Sequence, residues 1–62
     1  MEQEYDIKTM SAKITDLRKT ATELKALSGG IQAVDRNVDR ILANVKMLEM
    51  EVVDAASILE EE

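Results

Sequence analysis

Two aspartates four positions apart, Asp35 and Asp39, are the strongest candidates for chemistry in this sequence. On a helix they would share one face, which is how helical bundles present carboxylates to a metal ion. Di-iron bundles also require a histidine three residues after a glutamate, and this chain contains neither His nor Cys. General bases and nucleophiles are drawn mainly from those two residue types. We therefore predict no catalytic residue, no metal site, no cofactor and no small-molecule substrate, and we expect that the chain is not an enzyme.

The same two aspartates alternate with Arg36 and Arg40 in the repeat Asp-Arg-x-x-Asp-Arg. We interpret the repeat as a solvent-exposed face of ion pairs, each worth a few tenths of a kcal/mol. The alternative is that these charges select the orientation and the partner of a packed helix, as flanking charges do in coiled coils.

Apolar residues in the first half of the chain recur at alternating spacings of three and four, which is typical of a helix that packs along a narrow seam. They are Ile7, Met10, Ile14, Leu17, Ala21 and Leu24. The second half has the same spacing, at Ile31, Val34, Val38, Ile41, Val45, Leu48, Val52, Ala55 and Leu59. The pattern predicts one helix in each half and an all-α fold.

The break between the helices belongs at Gly29 and Gly30, the only glycines in a chain without Pro. Each would cost about 1 kcal/mol inside a helix relative to Ala. The prediction is one helical-hairpin domain over 1–62, divided into helix 1 at about 3–27, a turn at 28–30, helix 2 at about 31–59 and a frayed acidic tail at 60–62. The tail is expected to fray because three carboxylates oppose the dipole of a helix C-terminus.

Two arrangements of these heptads compete. If the chain turns back at the glycines, the helices form an antiparallel coiled-coil hairpin in which Leu27 pairs with Ile31 and Ala21 pairs with Val38. If the helix continues, the spacing of Leu24, Leu27 and Ile31 is a three-residue slip of the repeat, which a parallel coiled coil tolerates as a stammer. Two adjacent glycines at the slip favour the hairpin.

The chain has 62 residues and buries too little surface to be more than marginally stable by itself. Without Cys or the usual zinc ligands, oligomerisation is the remaining way to stabilise it. Helix 2 carries apolar residues outside its seam, namely Leu42, Met47, Met50, Val53 and Ile58. We predict that these five residues form a protein interface, either in a homodimeric antiparallel four-helix bundle or as a docking face for another helical protein.

Charge and composition narrow the choice of partners. The formal net charge is −5 and Tyr5 is the only aromatic residue. Phosphate backbones are bound by Lys and Arg, and unpaired bases stack on aromatic rings, so we predict no nucleic-acid partner. The first residues are acidic and no apolar run approaches ~18 residues, so we predict no membrane partner and a soluble, cytoplasmic protein.

These observations predict a non-catalytic interaction module, acting as a scaffold, adaptor or co-chaperone subunit through the apolar faces of helix 2. The alternative is an acidic inhibitor or antitoxin-like protein that covers a basic surface of its target. Its carboxylates would be Glu49, Glu51, Asp54, Glu60, Glu61 and Glu62. The two functions differ in salt dependence, because screening weakens binding by charge and leaves apolar contact intact.

Overall fold

The fold is a hairpin of two helices, α1 at Ile7–Leu27 and α2 at Gln32–Glu61. The computed structural model describes residues 6–61, with side chains up to residue 58. The helices pack against each other and run antiparallel. Arg18 contacts Glu49, and Lys25, which is later on α1, contacts Asp39, which is earlier on α2. The predicted all-helical hairpin is confirmed, and the alternative of one continuous helix is wrong for this structure.

Helix α1 begins after Asp6, whose backbone is extended at φ −104° and ψ 95°. One oxygen of its carboxylate accepts a hydrogen bond from the backbone N–H of Thr9 at 3.0 Å, and the other accepts one from the Thr9 hydroxyl at 2.7 Å. These two hydrogen bonds lower the pKa of Asp6. The predicted start near residue 3 is therefore too early, because Asp6 caps the helix instead of continuing it; residues 3–5 lie outside the described part.

Four residues, 28–31, connect the helices and reverse the chain. Ser28 keeps a helical backbone, and Gly29 and Gly30 have φ values of 63° and 89°, in the left-handed region that favours glycine. The Ser28 N–H donates to the Lys25 carbonyl at 3.2 Å, and the Ser28 carbonyl accepts from the N–H of Ile31 at 3.2 Å. The reversal therefore needs both glycines, and its backbone groups bond within the turn.

Helix α2 is the longer element and continues to Glu61, two residues past its predicted end. Its first turn contains Asp35, where a negative charge is favourable to the helix dipole. The backbone of Glu60 and Glu61 is helical, and Glu62 lies outside the described residues. Fraying of the tail stays a prediction.

The core of the hairpin is a single row of residues seven apart on each helix. Ile14 and Ala21 are buried on α1, Ser28 is buried at the C-cap of α1, and Val38 and Val45 are buried on α2. Each helix thus gives one row to the contact, which leaves the second row of its predicted seam less covered.

Neither helix, over the residues that the structure describes, combines the length and the apolar character needed to cross a lipid bilayer.

Candidate assembly surface

The two sides of the helix contact differ in chemistry. Successive residues of a helix are separated by about 100°, so Arg18 and Leu17 flank the buried Ile14–Ala21 row on opposite sides. Lys25 and Leu24 flank it in the same way one heptad later. One side of the hairpin therefore carries charged residues, and the other carries leucines.

The charged side is closed by contacts between the helices. The Arg18 guanidinium donates two hydrogen bonds to the Glu49 carboxylate, at 2.8 and 2.9 Å. The Lys25 ammonium donates to Asp39 at 2.6 Å. We call this side, defined by Arg18, Lys25, Asp39 and Glu49, the closed side. All four side chains are partly exposed, so these pairs contribute more to alignment than to stability.

The two ion pairs shift the pKa values of Arg18, Glu49 and Lys25. The hydrogen bonds from Arg18 lower the pKa of Glu49, and the same contact raises the pKa of Arg18. The hydrogen bond to Asp39, followed by the charge of that carboxylate, raises the pKa of Lys25. Each of these three shifts favours the charged form of its group.

Ser28 extends the closed side to the turn. Its buried hydroxyl lies 3.0 Å from the Lys25 carbonyl and within hydrogen-bonding distance of the Asp35 carboxylate. The single hydroxyl proton is shared between these two acceptors. The contact ties the end of α1 to the first turn of α2.

Asp35 and Asp39, the candidate metal ligands of the sequence, are both engaged with α1. Asp35 contacts Ser28 and Asp39 contacts Lys25. The Asp-Arg-x-x-Asp-Arg repeat therefore aligns α2 with α1 through its aspartates, which is closer to the orienting role than to a purely solvated face.

The leucine side is open to solvent. Its four large side chains, from both helices, remain 49%, 45%, 44% and 38% exposed, at Leu17, Leu24, Ile41 and Leu48 respectively. We call these four residues the open face. All four belong to the predicted seam, where each was expected to be covered by the other helix. Among the described residues the structure buries the adjacent row fully and covers this row only by about half.

The two ends of the open face differ in shape. At the turn, Leu27 is 81% exposed and Ile31 is also exposed, so the predicted packing of Leu27 on Ile31 is not found. At the opposite end, among the residues that the structure describes, the helices line an open groove of about 470 Å³. Its apolar lining is Met10, Ile14, Leu48, Val52 and Ala55.

The five residues predicted to form the interface do not share one face of α2. Leu42 is half-buried on the same side as Glu49, one heptad before it. Met47, Met50 and Val53 are exposed and follow one another at three-residue spacing, from the outer side of α2 at Met47 toward the side of Glu49 at Val53. Ile58 is exposed and lies eleven residues after Met47, close to the same outer side. Their role as an interface stays a prediction.

Sequence reasoning missed the open face because heptad spacing marks both rows of a seam as apolar without saying which row a single neighbour covers. A signal was present in the charges. Arg18 and Lys25 adjoin one row of α1 and have acidic partners at Glu49 and Asp39 on α2, which indicates the side that closes.

Comparison with known proteins found no matching protein-family model, no matching curated protein and no matching solved structure.

Proposed function

We propose that this chain is a non-catalytic assembly module that associates with a second copy of itself through the open face, forming a four-helix bundle on which other proteins can be organised. The observation that carries the proposal is the open face. Leu17, Leu24, Ile41 and Leu48 form one apolar stripe built by both helices.

A half-exposed apolar row beside a buried apolar row is typical of a hairpin that forms one half of a four-helix bundle. In a four-helix bundle the seam residues of all four helices face a shared core, so residues that one hairpin leaves half-exposed are covered by the second. Here the row that includes Ile14 and Val45 is used within the hairpin, and the row that includes Leu17 and Ile41 is left for a second hairpin. Soluble chains rarely leave a continuous apolar stripe of this kind uncovered.

The size of the face fits a stable dimer. The hairpin measures 48 by 16 by 15 Å. One long side of this outline measures roughly 770 Å², of the same order as the ~800 Å² of accessible surface that each partner buries in a standard protein interface, so a second copy would cover most of that side. A second hairpin would also give this small chain the additional core that it needs for stability.

The acidic-inhibitor alternative has weaker support. Glu49, one of the carboxylates assigned to it, is hydrogen-bonded to Arg18 within the hairpin. Glu51 and Asp54 are exposed and adjoin apolar residues of α2. Binding to a basic target would weaken steeply with salt, whereas self-association through leucines would not.

The test compares two variants with the same number of changes on the same helix. Ile41→Gln with Leu48→Gln alters the open face, and Met47→Gln with Val53→Gln alters the outer side of α2. Gln adds no charge, so the comparison isolates apolar contact. The dissociation constant of the dimer, from sedimentation equilibrium, should rise at least tenfold in the first variant, or about 1.4 kcal/mol, and stay unchanged in the second.

Loss of the dimer only in the Met47, Val53 variant would overturn the proposal and favour the interface on the outer side of α2. Because Ile41 and Leu48 are partly covered within the hairpin, circular dichroism must show that their variant remains helical. Leu17→Gln provides a second variant, since this side chain is the most exposed of the open face, and it should raise the dissociation constant in the same way.

A further inference from the structure

We infer that the two copies pack with their turns at opposite ends, so that Leu24 of each copy enters the groove of the other. The inference rests on the proposed function. It fixes the orientation of the second copy and makes the groove at Met10 and Val52 a site that only the dimer completes.

The ends of the open face have complementary shapes. Near the turn, Leu24, Leu27 and Ile31 are exposed and project from the hairpin. At the other end is the groove, which stays open partly because Ala55 contributes only a methyl group. A projecting end and a receding end on the same molecule can fill each other if the partner is reversed.

The spacing along the helices places the right residues together. The groove brings Met10 beside Val52, so Leu17, seven residues later on α1, is level with Val45, seven residues earlier on α2. We place a two-fold axis perpendicular to the helices at this level. Such an axis brings a residue on the turn side of one copy beside a residue that lies equally far on the other side in the partner. Leu24 lies seven residues above Leu17 and therefore reaches the level of the partner's Met10.

The same two-fold axis also brings apolar residues of the two α2 helices together. Ile41 and Leu48 lie at nearly equal distances from Val45 on either side, so each would contact the other residue in the partner. Leu17 lies close to the axis and would meet the partner's Leu17. A single axis therefore pairs apolar residues of one copy with apolar residues of the other on both α1 and α2.

The other symmetric arrangement has its axis parallel to the helices and brings the two turns together. The projecting Leu24 and Leu27 would then meet their own copies, and the groove would face the partner's groove. Protein interiors do not tolerate such voids, since they are packed as densely as organic crystals. Shape therefore selects the arrangement with opposed turns.

Cysteine variants test this orientation cleanly, because the chain has no natural Cys. With opposed turns, α1 lies beside the partner's α1, and Leu17→Cys should form a disulfide dimer on oxidation. An equal mixture of Met10→Cys and Leu24→Cys should form the mixed disulfide in preference to either homodimer. Met50→Cys, on the outer side of α2, is the matched control and should stay unlinked on a non-reducing gel.

Failure of the orientation is distinguishable from failure of the proposed function. If the two turns lie at the same end, the two α1 helices lie at opposite corners of the bundle. Leu17→Cys then forms no disulfide although sedimentation still shows a dimer, and this result overturns the inference. If wild type is a monomer at every concentration, the proposed function fails as well. A Leu17→Cys protein that is not helical when reduced is set aside, and the Met10→Cys and Leu24→Cys mixture then decides.

Discussion

Arg18 on α1 donates two hydrogen bonds to Glu49 on α2, from Nε to Oε2 at 2.8 Å and from the terminal nitrogen to Oε1 at 2.9 Å. The two residues are 31 positions apart in the chain. A bidentate contact of this kind fixes the rotation of one helix against the other as well as their register. It therefore determines which row of each seam is buried and which forms the open face.

The first prediction concerns the pH dependence of this contact. The folded state lowers the pKa of Glu49, so the contact stabilises fully above the unfolded pKa and is lost as pH falls through the folded pKa. For a glutamate this range lies below about pH 4.3. The melting temperature of wild type should fall more steeply between pH 5 and about pH 3 than that of Glu49→Gln, measured by circular dichroism. Parallel curves would show that the contact is not made in solution.

The second prediction concerns the buried row. Val38 is 1% exposed, so Val38→Ala should lower the free energy of unfolding by about 2 kcal/mol through lost burial and an unfilled cavity. Val53 is 63% exposed on the same helix, and Val53→Ala is the matched control, with little expected change. Urea unfolding at one fixed chain concentration measures both. Equal losses would contradict the assignment of Val38 to the core.

The third prediction concerns the serine at the turn. Ser28→Ala removes the hydroxyl that contacts both the Lys25 carbonyl and Asp35, so the free energy of unfolding should fall by about 1 kcal/mol. Ser57→Ala, at an exposed position of α2, should leave stability unchanged or slightly higher because Ala favours helix. A Ser28→Ala protein as stable as wild type would show that the hydroxyl is dispensable.

The fourth prediction concerns the two glycines. Gly29 and Gly30 both have positive φ, and a side chain at Gly29 would meet only the Leu27 carbonyl at 3.9 Å. The cost of Gly29→Ala is therefore backbone strain rather than collision, about 1–2 kcal/mol. Replacing both glycines with Ala should favour the continuous helix, and small-angle scattering should show a radius of gyration well above the 14.8 Å of the hairpin. An unchanged radius would show that the seam alone enforces the reversal.

The fold was predictable from the sequence because its determinants are local. The spacing of apolar residues marks two helices, and Gly29 with Gly30 marks the break. The sequence prediction began helix 1 near residue 3, whereas α1 begins after Asp6, which forms its cap with Thr9. Capping depends on local hydrogen bonds, which the spacing of apolar residues does not reveal.

The candidate surface was less predictable, since it depends on rotation about the helix axis. Leu17 and Leu24 match the heptad as well as Ile14 and Ala21 do, and only contacts between helices, such as Lys25 with Asp39, decide which pair is buried. The sequence prediction placed the interface at apolar residues of α2 outside the seam. The structure leaves part of the seam itself uncovered.

The central claim, that the open face holds a second copy, is tested most directly by the solution mass of wild type over a concentration series. The account predicts a helical species of twice 6.9 kDa that dissociates on dilution and withstands high salt. A folded, helical chain of 6.9 kDa at every concentration would contradict it.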